Sequence, residues 1–218
     1  MNFNSKKISF LSAVAITILF CGALFSCTTD EDKPISETYL QKAREVLHDS
    51  IVLNARTMMG TVNKTLLDEG CPLKYYMEWR SKDTLNIQIR NFSVGKMPVT
   101  VWFSCNCKFM QLNTWEKEEY TEDGWIKFEG SGGQTYYSGN EYDTNKDYQT
   151  GTGGAGSVIG YFNASTNQIE FVTEFNVMNM TADVYRQVID YSRMSTYNKD
   201  FTQYEDSLAE YKKEHGLD

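Results

Sequence analysis

Histidine is nearly absent from this chain of 218 residues, which carries only His48 and His215. Catalysis of the Ser-His-Asp or Cys-His kind needs an imidazole beside a nucleophile, and zinc sites draw on several His and Cys ligands. Both histidines fall in terminal segments with helical patterning, so the chain is expected not to be an enzyme of that kind and to hold no zinc. Proline is scarce too, at three residues, while aromatic side chains make up 14% of the sequence. That balance indicates a folded body rather than a disordered one. Basic residues are outnumbered, 21 Lys and Arg against 29 Asp and Glu, and form no stripe. Nucleic acid is therefore not expected as a partner, because phosphate contacts need clustered cations. No Gly-Lys-Ser/Thr phosphate loop and no internal repeat occurs, and no cofactor is implied.

The one long apolar run spans residues 8–25. Lys6 and Lys7 precede it, and a small residue before Cys27 completes the order of parts in a secretory signal. Leu24-Phe25-Ser26-Cys27 resembles a bacterial lipobox, which implies cleavage before Cys27 and diacylation of its thiol. The alternative is a membrane anchor, for which 18 residues is near the lower limit of a span. Asp30, Glu31 and Asp32 follow, similar to the export signal of surface lipoproteins of the Bacteroides group; they also read as a solvated tether. An outer-membrane lipoprotein exposed on the cell surface is expected. Loss of residues 1–26 removes Lys6 and Lys7 and no acid, leaving 192 residues and a formal charge of −10 rather than −8. The domain plan is a signal peptide (1–26), an acidic tether (27–35) and a single β-rich domain with flanking helices (36–218), a length able to bury one substantial core.

Ser36 can cap a helix over about 36–50, with Leu40, Ala43 and Leu47 as its apolar stripe and Ile35 as a staple. Residues 52–67 fit either period, and strand is slightly favoured. From Lys74 the period is two: Tyr75, Met77 and Trp79 share a face, Ser81-Lys82-Asp83 turns, and Leu85, Ile87 and Ile89 return. Val99, Val101, Phe103, Cys105, Cys107 and Phe109 then share one face of a long strand. A strand near 125–129 leads into a Gly/Tyr/Asn-rich loop at 130–156. Residues 157–163 and 168–178 form a further hairpin, and two short helices follow, the first through Val184, Val188 and Tyr191, the second through Phe201, Tyr204, Leu208 and Tyr211. The fold class is α+β, mainly an antiparallel meander that could curl into a barrel or half-barrel, with one N-terminal and two C-terminal helices.

The segment Leu85-Asn-Ile-Gln-Ile-Arg-Asn91-Phe92-Ser93-Val94-Gly95-Lys96-Met97-Pro98-Val99 resembles the strand and turn of calycin-like (lipocalin-like) lipoproteins of the Bacteroides group. Met59-Gly60-Thr61-Val62 is similar to their opening strand, without the usual aromatic before it. The resemblance covers about 56–180 and implies a meander barrel able to hold one small apolar ligand among side chains such as Val101, Phe103, Phe171 and Phe175.

Cys71, Cys105 and Cys107 remain beyond the signal and lipid cysteines. Export permits a disulfide from Cys71 to Cys105 or Cys107, whereas Cys105 and Cys107 lie on one strand face roughly 6.6 Å apart, a strained pair. Buried thiols are favoured. Glu116, Glu118, Glu119, Glu122 and Asp123 form an acidic cluster, readable as a solvated face or as carboxylates for glycoside hydrolysis. The 27-residue loop interleaves eight glycines with Tyr136, Tyr137, Tyr142 and Tyr148. With Trp125 or Trp115 it is the candidate surface for a glycan or a partner protein. Asp143, Asn145 and Asp147 match three calcium-loop positions, but Tyr148 and Gly154 replace the required Gly and Glu, so no EF-hand is expected; a polar turn is the default and a looser oxygen-ligand calcium site the weaker alternative. Asp49-Ser50-Ile51, Asp83-Thr84-Leu85 and Asp206-Ser207-Leu208 resemble the O-glycosylation tripeptide of exported Bacteroides-group proteins, with about one such match expected by chance.

Overall fold

A computed structural model describes residues 34–95, 97–139 and 151–217. Helix α1 (Glu37–Val46) turns Leu40, Ala43 and Val46 inward, with Ile35 packed against the same core. It ends earlier than its apolar pattern suggests, because Asp49 takes a left-handed backbone (φ 56°) and starts a strand.

Eight long strands follow: β1 (Asp49–Met59), β3 (Cys71–Trp79), β4 (Thr84–Phe92), β5 (Val99–Met110), β6 (Trp125–Gly139), β8 (Gly156–Asn163), β9 (Gln168–Glu174) and β10 (Met180–Val188). Two short pieces, β2 (Val62–Asn63) and β7 (Gly151–Thr152), pair with β1 and β6. Each long strand is antiparallel to its predecessor, and β10 returns to β1 with Ala55 opposite Val184 and Met59 opposite Met180. The sheet is thus a closed eight-stranded barrel, which leaves no exposed long edge.

Strand β10 replaces the first of the two expected C-terminal helices. Val184, Val188 and Tyr191 fit a helical stripe, but Met180, Ala182 and Val184 alternate inward while Val188 stays 57% exposed. Pairing on both sides outweighs that stripe, since it satisfies the backbone and closes the barrel. One C-terminal helix remains, α3 (Arg193–His215), ended by Gly216 in left-handed conformation. It lies outside β1 and β3, burying Tyr204 and Leu208.

The Gly-rich stretch is not a loop from 130 onward. Strand β6 runs on to Gly139, paired with β5 as far as Val99. Two of the glycines make room for one ring: a Cβ at Gly133 would come within 2.9 Å of the Phe103 ring, and one at Gly156 within 2.7 Å of it. A turn-like composition here marks a bulky ring lying against the backbone.

An eight-stranded barrel is just wide enough for its inward side chains to fill it. The Tyr75 and Phe171 rings meet edge to face at 4.9 Å, Phe103 and Phe175 at 5.4 Å, and Phe128 lies 5.3 Å from Phe109 and 5.8 Å from Phe171. Less than 2% of the surface of Tyr75, Phe109, Phe128, Phe162 or Phe175 is open to water. Val101, Phe103, Phe171 and Phe175, expected to line a ligand cavity, are instead close-packed against such neighbours. The hydroxyls of Thr57, Tyr75 and Thr173 are buried there without a hydrogen-bond partner.

Candidate functional site

Beyond the barrel wall, Leu112, Tyr120 and Trp125 form a second small core with Tyr161. A short helix α2 (Glu116–Glu119) in the β5–β6 connection carries Tyr120 at its end. Tyr120 stacks on Tyr161 with centroids 4.1 Å apart and meets Trp125 edge-on at 5.0 Å. The Arg186 guanidinium lies 5.0 Å from both the Tyr120 and Trp125 rings. Its Nε and Nη2 donate to the two oxygens of Glu170 at 2.6 and 2.9 Å, and the Tyr120 hydroxyl donates to the same carboxylate. Burial alone would raise the Glu170 pKa, but the bonds from Arg186 and Tyr120 outweigh it and hold the carboxyl below its usual value.

The neighbouring carboxylate is held likewise. Glu116 accepts the Tyr161 hydroxyl at 2.9 Å and the Asn113 backbone N–H at 2.8 Å, and pairs with Lys127 at 3.0 Å. Burial opposes ionisation here too and is outweighed. Tyr161, pushed up to about 12 by burial and by Glu116, stays a neutral donor.

From this cluster a groove of about 600 Å³ runs along the outer faces of β8, β9 and β10 toward Glu174, Asp183 and Tyr185. Ile159 and Val172 point outward in it and remain 48% and 39% exposed. They sit opposite one another across β8 and β9. A large groove with a mainly apolar floor and a few fixed polar groups is the usual form of a small-ligand site.

The expected site residues are scattered. Trp125 is buried beneath Arg186 rather than offered to solvent. Tyr136 and Tyr137 are neighbours on one strand and so face opposite ways: Tyr137 packs against the core, and Tyr136 stands outside, opposite Trp102. Tyr142, Tyr148, Asp143, Asn145 and Asp147 lie outside the described residues, as do Cys27, Asp30, Glu31 and Asp32. Trp115 is 77% exposed beside α2. Of the acidic cluster, Glu116 is tied to Lys127 and Asp123 accepts the Tyr39 hydroxyl. Cys71, Cys105 and Cys107 are free buried thiols, the favoured reading, and neither permitted disulfide forms. No group of three or more potential metal ligands occurs among the described residues. Thr84 sits half-buried after the β3–β4 turn with Oγ1 3.3 Å from Asp83, Ser50 lies in β1, and Ser207 borders a small cleft beside α3. Sequence reasoning missed Tyr120, Tyr161, Glu170 and Arg186. The available signal was the pairs Val158-Ile159 and Phe171-Val172, apolar on both faces of strands that need only one apolar face.

Residues 27–216 match the family described as "Domain of unknown function (DUF4903)". The chain belongs to that family. No curated protein and no solved structure matches it. The eight-stranded antiparallel barrel of this chain is compatible with a calycin-like fold. Among the described residues no helix is long and apolar enough to cross a membrane.

Proposed function

We propose that the protein is a lipid-anchored binding protein of the outer membrane, displayed on the cell surface, that holds a small, largely apolar ligand on the outside of its barrel. The groove carries this reading, because Ile159 and Val172 leave apolar surface open at its floor while Tyr161, Glu170 and Arg186 are fixed at one end to orient a polar group. The packed rings of the lumen favour the outer site over the inner one. Cys27 is the proposed lipidation site, and a family match that begins at Cys27 supports cleavage before it. Asp30, Glu31 and Asp32 are the proposed export signal. No catalytic role is assigned: Glu116 and Glu170 are both held ionised, which suits salt bridges rather than the protonated acid that glycoside hydrolysis requires.

Native mass spectrometry of the protein released from its own membrane by cleavage in the tether tests this. A bound mass that leaves on denaturation, and that Val172→Asp eliminates without unfolding the barrel, is the expected result. A bound mass retained by that variant would move the site elsewhere, and no bound mass would remove the reading.

A further inference from the structure

The wall made by β3, β4, β5 and β6 differs in chemistry from the groove. Tyr76, Gln88, Ser104 and Gln134 stand opposite one another across its four strands, all outward, and Asn86 faces Asn106 one step along. Their side chains form a relay. Asn86 Nδ2 donates to Ser104 Oγ at 3.0 Å and to Asn106 Oδ1 at 2.7 Å, and Gln88 Nε2 donates to Asn86 Oδ1 at 2.6 Å. Arg90 Nε and Nη2 donate to Gln88 Oε1 at 3.2 and 2.8 Å, with the guanidinium 4.1 Å above the Tyr76 ring.

Arg90 is unlike most arginines of the chain. Arg44, Arg56, Arg80 and Arg186 each meet a carboxylate, namely Glu37, Asp183, Glu78 and Glu170. Among the described residues Arg90 meets an amide and a ring and no carboxylate, so its charge there is oriented rather than neutralised. Lys74 is similar, with Nζ 4.4 Å above the Tyr197 ring. In a chain of net charge −8, these two cations line one cleft of about 230 Å³ between this wall and α3, together with Asn91, Thr100, Tyr197 and Phe201. Two residues along β5 from Thr100, on the same outer face, Trp102 lies opposite Tyr136 of β6, and both are half-buried.

We propose that this cleft and the adjoining wall bind a carboxylated saccharide. A carboxylate entering the cleft meets a preoriented guanidinium and an ammonium, the pairing that a planar fork suits best. A sugar ring beyond it lays its C–H face on the Trp102 and Tyr136 rings, and its hydroxyls exchange hydrogen bonds with exposed amides such as Asn91 and Gln134. Among its described residues the cleft offers two cations, Lys74 and Arg90, beside amides and hydroxyls, which favours a single acidic sugar in a largely neutral chain over a polyanion. The site is separate from the outer groove, so either can fail alone.

The test is retention of the full-length protein, extracted in mild detergent, on an array pairing uronate- and sialate-bearing saccharides with their neutral counterparts and with Glu-rich peptides. Isothermal titration of the best-retained saccharide follows. Preference for carboxylated saccharides is expected, with Arg90→Gln and Trp102→Ala each weakening binding at least tenfold, Arg90→Lys retaining part of it, and Val172→Asp leaving it unchanged. Circular dichroism confirms that each variant is folded. Equal retention of neutral saccharides, retention of the peptides alone, no retention at all, or full affinity in folded Arg90→Gln overturns the proposal.

Discussion

The inside and the outside of this barrel are built from the same strands, and their alternation gives the two faces opposite properties. Inside, Phe103, Phe109, Phe128, Phe171 and Phe175 meet ring against ring with almost no surface open to water. Outside, Ile159 and Val172 leave apolar surface uncovered, with charges pinned at one end of the groove. The face with more aromatic side chains is therefore the stabilising one. The face with fewer has room for a ligand.

Deletion of a ring from the lumen is the hardest test of that contrast. Phe128→Ala is expected to cost about 3–5 kcal/mol, the range for emptying a close-packed aromatic site, read as a lower urea midpoint. A cost near zero would mean that the lumen is loosely filled after all. Gly160→Ala tests the same packing from the backbone, because a Cβ there would lie 2.3 Å from Cβ of Phe171 and 2.5 Å from Cζ of Phe128. Overpacking of this kind costs about 1–3 kcal/mol.

The lumen also contains a place where stability can rise. Thr173 has a buried hydroxyl with no hydrogen-bond partner, so Thr173→Val is expected to add about 1 kcal/mol, within the range for desolvating an unpaired polar group. Thermal melting decides the sign.

On the outside the leading effect is electrostatic. The Glu116 and Glu170 carboxyls are lowered from the usual 4.5 in the folded state. Their contribution is complete above the unfolded value and is lost as pH falls below about 4.5 through the depressed values. Glu170→Gln should remove part of that acid dependence and cost about 1 kcal/mol at neutral pH, since the half-exposed Arg186 limits the strength of the pair. An unchanged slope between pH 5 and 3 would show that the pair contributes nothing. The smallest effect belongs to the groove floor: Ile159→Thr with Val172→Thr is expected to change stability by less than about 0.5 kcal/mol, while reducing ligand occupancy.

Much of the barrel was legible because period-two alternation is a local signal. Tyr75, Met77 and Trp79 against Leu85, Ile87 and Ile89, and the face from Val99 to Phe109, read directly as hairpin and core, and they are so. Two elements misread. Residues 130–139 look like a loop by composition, yet Gly133 clears space for the ring of Phe103 and Gly130 for the backbone of Asn106, both on β5 and distant in sequence. Residues 180–188 carry a weak helical stripe, and their strand is decided by partners on β1 and β9. The candidate site was the least legible, since Tyr120, Tyr161, Glu170 and Arg186 come from four separate elements and none is unusual alone.

The sequence by itself determined an antiparallel meander with one continuous apolar face, a helical lead-in, buried thiols and a shortage of imidazole, because these follow from side-chain type and short-range spacing. Only the tertiary structure decided that the meander closes, that its rings fill the interior, and that the open apolar surface and two cations held by rings rather than by described carboxylates lie on its outer wall. Closure depends on hydrogen bonds between β1 and β10, more than a hundred residues apart in the chain, and filling depends on how strand number sets the width of the lumen. Neither quantity is carried by any local stretch of residues.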